Sequence, residues 1–292
     1  MSDMKVDVAV RGTDTLGECP LWDDRARTLY WIDTRAPALY RWAPDGQKRA
    51  WPMKELVGSF AFRQDGGLLL GLQSGVYTFD LETGELHPFA QPELDKPANR
   101  MNDGRCDRAG RFWVGTMSDV TREPKGSLYR IEPGGSCDRL LQDIVVPNSI
   151  TWSPDSKTMY FADTYRHSIW TFDYDLDAGA ISNRRLFAET NPGRPDGSAM
   201  DSEGCLWNCE YAGGRVVRYT PSGRADRVVQ IPADNPTCCA FGGSDLRTLF
   251  VTSARQRLTR EELQRQPLAG SVFAVSVGVS GLPEARFGAP KP

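Results

Sequence analysis

A unit that recurs six times constrains this chain more than any other feature. In each copy a turn rich in Asp, Gly or Pro leads into a short apolar-aromatic run: DDRARTLYWID, RQDGGLLLGL, DRAGRFWVGT, SPDSKTMYFAD, DSEGCLWNCE and GSDLRTLFVTS. One turn later comes a second, alternating run: ALYRWAPDG, GVYTFDLETG, GSLYRIEPGG, SIWTFDYDLDAG, RVVRYTPSG and GSVFAVSVG. The first apolar residues of the leading runs are Leu29, Leu68, Phe112, Met159, Leu206 and Leu249, at gaps of 39, 44, 47, 47 and 43 residues. Short β-rich runs bounded by turn formers read as strands and hairpins. Several strands repeated every ~40–50 residues is the spacing of propeller blades.

The expected fold is therefore all-β: a six-bladed β-propeller with four-stranded antiparallel blades, residues 1–292 forming one domain. A sandwich would not explain six copies of one unit. Few residues follow the last alternating run, so VDVAV, residues 6–10, is expected to supply the outer strand of the last blade and close the ring. Closure removes an open sheet edge. The helix-like stretch LTREELQRQPLAG, residues 258–270, reads as an insertion between strands of the last blade.

Composition narrows the chemistry. A hydrophobic fraction of 40% suits a globular core, and a net charge of −3 with interspersed signs argues against nucleic acid or an acidic membrane surface. No apolar run approaches the roughly 20 residues that span a bilayer, and the start MSDMKVDVAV does not read as a signal peptide. A cytoplasmic location is the expectation. Seven cysteines, an odd number with Cys238 and Cys239 adjacent, read as reduced and mostly buried thiols. The two histidines, His87 and His167, lie far apart, which argues against a His-rich zinc site and a Ser-His-Asp triad; no GxSxG elbow is present. Carboxylates, amides and arginines must carry most of the chemistry.

Equivalent positions of the repeats converge on a propeller's axis, and counting back from the anchors locates them. Glu18 and Asn148 lie 11 residues before Leu29 and Met159; Asn102 and Asp196 lie 10 before Phe112 and Leu206. The second repeat offers Gly58 or Ser59 at this phase, and the sixth Cys238 or Cys239. Two carboxylates and two amides suit a divalent cation, because their charge balances it and the amides add ligands without repulsion. Proline stands beside three of them: LGECP after Glu18, Pro147 before Asn148 and Pro195 before Asp196. Its fixed φ lowers the cost of holding a ligand in place.

These residues carry a family resemblance. LGECPLW, NRMNDGRCDRAGRFWVGTM, VPNSITWSPDSKTMYFADT, RPDGSAMDSEGCLWN, CAFGGSDLRTLFVTSAR and PLAGSVFAV, in this order, resemble the SMP-30/gluconolactonase family, called regucalcin in animals. The resemblance implies a six-bladed propeller that hydrolyses sugar lactones with one divalent metal ion (Zn, Ca, Mn, Mg or Fe). It implies Glu18, Asn148 and Asp196 as metal ligands, Asp196 also as catalytic base, and Arg100 and Asn102 as substrate-binding residues. The chain departs from the family pattern at Cys19 and Ser149, where glycine is usual, and at Cys238, where serine is common. Val120 stands where animal members carry a second glutamate that touches the sugar, with Asp119 adjacent.

The expected function is a lactonase, gluconolactonase-like, opening the lactone of a pentonic or hexonic acid, as a monomer or small homo-oligomer with a small-molecule sugar lactone as partner. Two rivals are a non-catalytic metal-binding or interaction propeller, and an esterase or phosphotriesterase at the same metal site. Fold alone does not separate them. Specificity is expected from loops around Val120, Tyr165 and Tyr211.

Overall fold

The computed structural model describes residues 4–292 and contains six four-stranded antiparallel sheets. The chain is a six-bladed β-propeller. Two compact units hold three blades each: residues to Pro52 with Ala188–Pro283, and Met53–Phe187 with Glu284–Pro292.

In the first unit, the first blade comprises Gly17–Asp23, Thr28–Asp33, Ala38–Trp42 and Lys48–Pro52. The fifth comprises Arg194–Met200, Leu206–Tyr211, Arg215–Tyr219 and Ala225–Gln230. The sixth is built from Pro236–Gly242, Thr248–Ser253 and Val272–Ser276, and Val6–Val10 adds to its edge as the fourth strand. The expected closure by the N-terminal strand is borne out.

In the second unit, the second blade comprises Val57–Phe62, Leu68–Leu72, Val76–Phe79 and Leu86–Ala90. The third comprises Asn99–Cys106, Phe112–Ser118, Gly126–Ile131 and Cys137–Ile144. The fourth comprises Pro147–Trp152, Thr158–Asp163, Ser168–Asp175 and Ala180–Glu189, whose last two residues belong to the first unit.

The repeat anchors sit where blades are packed most tightly. Leu29, Leu68, Phe112, Met159, Leu206 and Leu249 each stand first or second in the second strand of a blade, and all six are 0% exposed. The first strands Val57–Phe62, Pro147–Trp152 and Pro236–Gly242 are buried at every position. Outer strands face water, and Lys48–Pro52 buries only Trp51. Aromatic rings bridge adjacent blades: Trp22 stacks on Phe250 at 5.7 Å, and Trp113 meets Trp152 edge-on at 5.7 Å.

Three buried indoles are held by buried carboxylates. Trp31, Trp113 and Trp207 donate through Nε1 to Asp14 (2.8 Å), Asp107 (2.8 Å) and Asp201 (2.9 Å). Asp107 and Asp201 also accept turn amides and a guanidinium, from Arg111 and Arg218, so these inward-pointing charges are matched.

The insertion in the last blade is helical over a shorter stretch than 258–270 suggests. The α-helix spans Arg260–Arg265, with a capping box between Thr259 and Glu262. Pro267 ends it, because the residue before a proline is pushed out of helical geometry; Gln266 has φ −123° and ψ 67°. All seven cysteines are free thiols and six are buried, as expected.

Candidate functional site

All six first strands share one irregularity. At a β-bulge their ladders with the second strand leave two first-strand residues unpaired, or one in the second blade, and the last paired residues before it are Glu18, Val57, Met101, Asn148, Pro195 and Pro236. In the first five blades that residue lies 11 before the anchor, and in the sixth 13 before it. Counting back 10 or 11 from Leu249 therefore stops two residues short, and the register-equivalent pair in the sixth blade is Pro236–Thr237. A bulge re-aims side chains and ends regular pairing, and bulges concentrate beside active sites.

The expected site residues occupy this bulge. Glu18 and Asn148 are the last paired residues of their strands, whereas Asn102 and Asp196 are the first unpaired ones. That difference explains why the count alternated between 11 and 10. Glu18 and Asn148 are each followed by a residue in the left-handed region, Cys19 at φ 48° and Ser149 at φ 57°. Holding a non-glycine residue there costs about 1–2 kcal/mol, so the two departures from glycine are places of backbone strain.

In the first unit, the first strand of the sixth blade packs against those of the first and fifth blades. Cys19 N–H donates to Glu18 Oε2 at 3.2 Å, and Thr237 Oγ1 donates to the carbonyl of Gly17 at 2.5 Å. Asp196 is 5% exposed, and its carbonyl accepts from Asn208 Nδ2 at 3.0 Å. Its successor must be glycine: a β-carbon at Gly197 would lie 2.2 Å from Cys238 Sγ and 2.8 Å from Cys238 Cα.

In the second unit the structure brings Arg100, Asn102 and Asn148 into one hydrogen-bonded chain. Arg100 is 3% exposed; Nε lies 2.6 Å from Asp119 Oδ1, and Nη1 donates to Asn102 Oδ1 at 2.8 Å. Asn102 Nδ2 donates to the Pro147 carbonyl at 2.8 Å and faces Asn148 Oδ1 at 3.3 Å. Asn148 Nδ2 donates to Thr164 Oγ1 at 2.7 Å. With Nδ2 engaged, Asn148 is left with its amide oxygen as a donor of the kind a hard divalent cation takes. Arg100 and Asn102 face the same side, as alternation along a strand requires. The sequence reading did not single out Asp103 or Thr164. Asp103 Oδ2 accepts from Ile150 N at 2.9 Å; burial raises its pKa, and the Ile150 N–H, Arg105 and the Gly104 N–H oppose that rise. The only sequence signal for Asp103 was adjacency to Asn102, and for Thr164 its place at the end of VPNSITWSPDSKTMYFADT.

The family model for the SMP-30/gluconolactonase/LRE-like region matches residues 16–255. The chain belongs to this family. SMP-30/gluconolactonase relatives include the 6-deoxy-6-sulfogluconolactonase of Pseudomonas putida, 39% identical over 95% of this chain and 97% of that protein. The L-arabinolactonase of Azospirillum brasilense is 40% identical over 94% of this chain and 92% of its own. The crystal structure of a calcium-binding regucalcin from Agrobacterium tumefaciens superposes with a TM-score of 0.94, at 31% identity and 98% coverage of both chains.

Against this SMP-30/gluconolactonase background, two other features stand out. Asp201, Glu203 and Cys205 bring potential ligand atoms within 4.8 Å of one another, but Arg218 sits among them, paired with Asp201 at 2.8 Å and with Glu203. The guanidinium neutralises this cluster where a cation would have to sit. Of the expected specificity positions, Val120 is 85% exposed, whereas Tyr165 and Tyr211 are half-buried. Among the described residues, no helix is long and apolar enough to cross a membrane.

Proposed function

We propose that this chain is a metal-dependent sugar lactonase that opens the lactone of a pentonic or hexonic acid to the free acid, acting as one six-bladed domain. In this reading Glu18, Asn148 and Asp196 hold one divalent cation. The observation that carries it is the shared bulge: four oxygen-bearing side chains stand at its edge in four first strands, two as the last paired residue and two as the first unpaired one, in a family whose relatives are named as lactonases of a sulfosugar and of a pentose.

When bound, the cation supplies Lewis-acid polarisation of the lactone carbonyl. The protein's own groups do the rest. Asp196 takes a proton from the attacking water and returns one to the ring oxygen as the ester C–O bond breaks. Arg100 and Asn102 bind sugar hydroxyls and hold the ring in a reactive orientation. Arg100 suits this role because its planar, charged guanidinium is held in place by Asp119 while it points at Asn102. Thr164 engages Nδ2 of Asn148, so that Oδ1 is the atom that would ligate the cation.

The test is a panel of aldonolactones, with a phosphotriester and an aryl ester included, on metal-stripped protein with single cations restored. Proton release is followed with a pH indicator. Turnover of a five- or six-membered sugar lactone that depends on the added cation is expected. Asp196→Asn is expected to lower it by about 10²–10⁴-fold while the protein stays folded. Unchanged turnover in that variant removes the assignment of Asp196 as base, and preferred turnover of the phosphotriester overturns the lactone reading.

A further inference from the structure

The two strained bulges solve the same backbone problem in different ways. Each places a left-handed residue after a proposed ligand, Cys19 after Glu18 and Ser149 after Asn148. The next residue, also outside the ladder, is Pro20 in one case and Ile150 in the other. Proline has no N–H, so the first bulge leaves no amide to satisfy. Ile150 has one. It is 2% exposed, and a buried N–H left without an acceptor forfeits its hydration energy.

The neighbouring blade answers this difference residue for residue. Two positions past the last paired residue of the third blade, Met101, stands Asp103; two past Pro236, in the sixth blade, stands Cys238. The third blade precedes the one carrying Ile150, and the sixth blade packs against the first strand of the blade carrying Pro20. A carboxylate therefore stands where an amide must be received, and a thiol where there is none. Asp103 Oδ2 accepts the Ile150 N–H at 2.9 Å. Arg105, two residues along the same strand and paired with Glu284 at 3.4 Å, offsets its charge.

We propose that Asp103 is a positioning residue for Asn148: by receiving the Ile150 N–H it holds the left-handed Ser149 in place and so fixes the backbone from which Asn148 presents its oxygen. The proposal rests on the reading of Asn148 as a cation ligand. Asp103 acts through the backbone and touches neither cation nor substrate. Released from Asp103, Ser149 would relax toward ordinary φ, turning the Asn148 side chain with it. Glycine at position 149 holds the left-handed bulge without strain, so it should make Asp103 dispensable.

The test compares wild type, Asp103→Ala, Asp103→Asn, Ser149→Gly and the Asp103→Ala/Ser149→Gly double variant. Mn²⁺ affinity is measured by calorimetric titration, and thermal unfolding of the metal-free proteins is measured alongside. Asp103→Ala is expected to weaken Mn²⁺ binding about 10–100-fold. Asp103→Asn keeps an oxygen for the Ile150 N–H and should stay within about fivefold of wild type. Ser149→Gly should restore most of the affinity in the double variant, which a merely structural loss would not allow. If Asp103→Ala does not fold, Asp103→Asn and the double variant still decide. Wild-type affinity in folded Asp103→Ala, an Asp103→Asn as weak as Asp103→Ala, or no recovery in the double variant overturns the positioning role alone. A wild-type protein that binds no Mn²⁺, Zn²⁺ or Ca²⁺ overturns the metal-site reading and this proposal with it.

Discussion

Arg100 Nε lies 2.6 Å from Asp119 Oδ1, and both side chains are largely withdrawn from water, at 3% and 16% exposure. An arginine proposed to bind sugar is thus first bound to the protein. Its fork is fixed before any ligand arrives, which lowers the ordering cost of binding. Asp119→Asn should keep the shape of the contact and lose its charge. The expected result is a fall in kcat/KM of about tenfold or more, about 1.4 kcal/mol of transition-state stabilisation, seen mainly in KM. Lactone kinetics at saturating cation decide it, and an unchanged kcat/KM would reduce the ion pair to a structural one.

Thr164→Val removes the oxygen that receives Asn148 Nδ2 at 2.7 Å. The amide is then free to turn its nitrogen toward the cation. Loss of an outer partner of this kind costs about 10–100-fold in metal affinity. Titration of the stripped variant with Mn²⁺ should show it, while the melting temperature of the metal-free protein changes little.

Gly197→Ala places a β-carbon 2.2 Å from Cys238 Sγ, 2.5 Å from Cys238 Cβ and 2.8 Å from Cys238 Cα. Two of those atoms belong to the first strand's own side chain and one to its backbone, so the strands must move apart. A loss of about 1–3 kcal/mol is expected, with reduced turnover because Asp196 is the preceding residue. Cys238→Ala removes only the sulfur. Chemical denaturation of the single and double variants should reveal a favourable coupling of about 0.5 kcal/mol or more; strict additivity would mean the two positions do not meet.

Asp14 gives stability a pH dependence. Burial lifts its carboxyl from 3.8 to about 7, with the Trp31 N–H lowering it, Asp33 raising it and Lys48 lowering it. The unfolded chain ionises Asp14 near pH 4, whereas the folded chain keeps it protonated until about pH 7. Over that window the folded state binds the extra proton, so rising pH removes stability, by up to about 1.4 kcal/mol per pH unit from this group. Asp14→Asn keeps an acceptor for Trp31 and removes the titration. Its stability relative to wild type should climb from pH 4 to pH 7 and level off above. A difference that is flat across this range would show that Asp14 does not titrate there.

The sequence by itself determined the fold to the level of blades and the phase of the bulge at which the candidate site residues stand. Six anchors chosen as the first apolar residues of their runs all became fully buried second-strand residues, and the strand over residues 6–10 took its place at the edge of the last blade. Glu18, Asn102, Asn148 and Asp196 were found by counting alone, because a repeat writes its period into local chemistry: turn formers, alternation and the length of a hairpin are all short-range. The tertiary structure alone decided which of the four stay in the ladder and which leave it, that Cys19 and Ser149 are left-handed, and that the count in the sixth blade stops short of Pro236. It alone chose the partners: Asp119 for Arg100, Thr164 for Asn148, Asp103 for Ile150 N–H and Cys238 against Gly197. Each of these pairs joins residues 16 to 47 positions apart. Which side chain meets which across such a separation depends on strand register and blade packing, and neither is written in the residues next to the ones that meet.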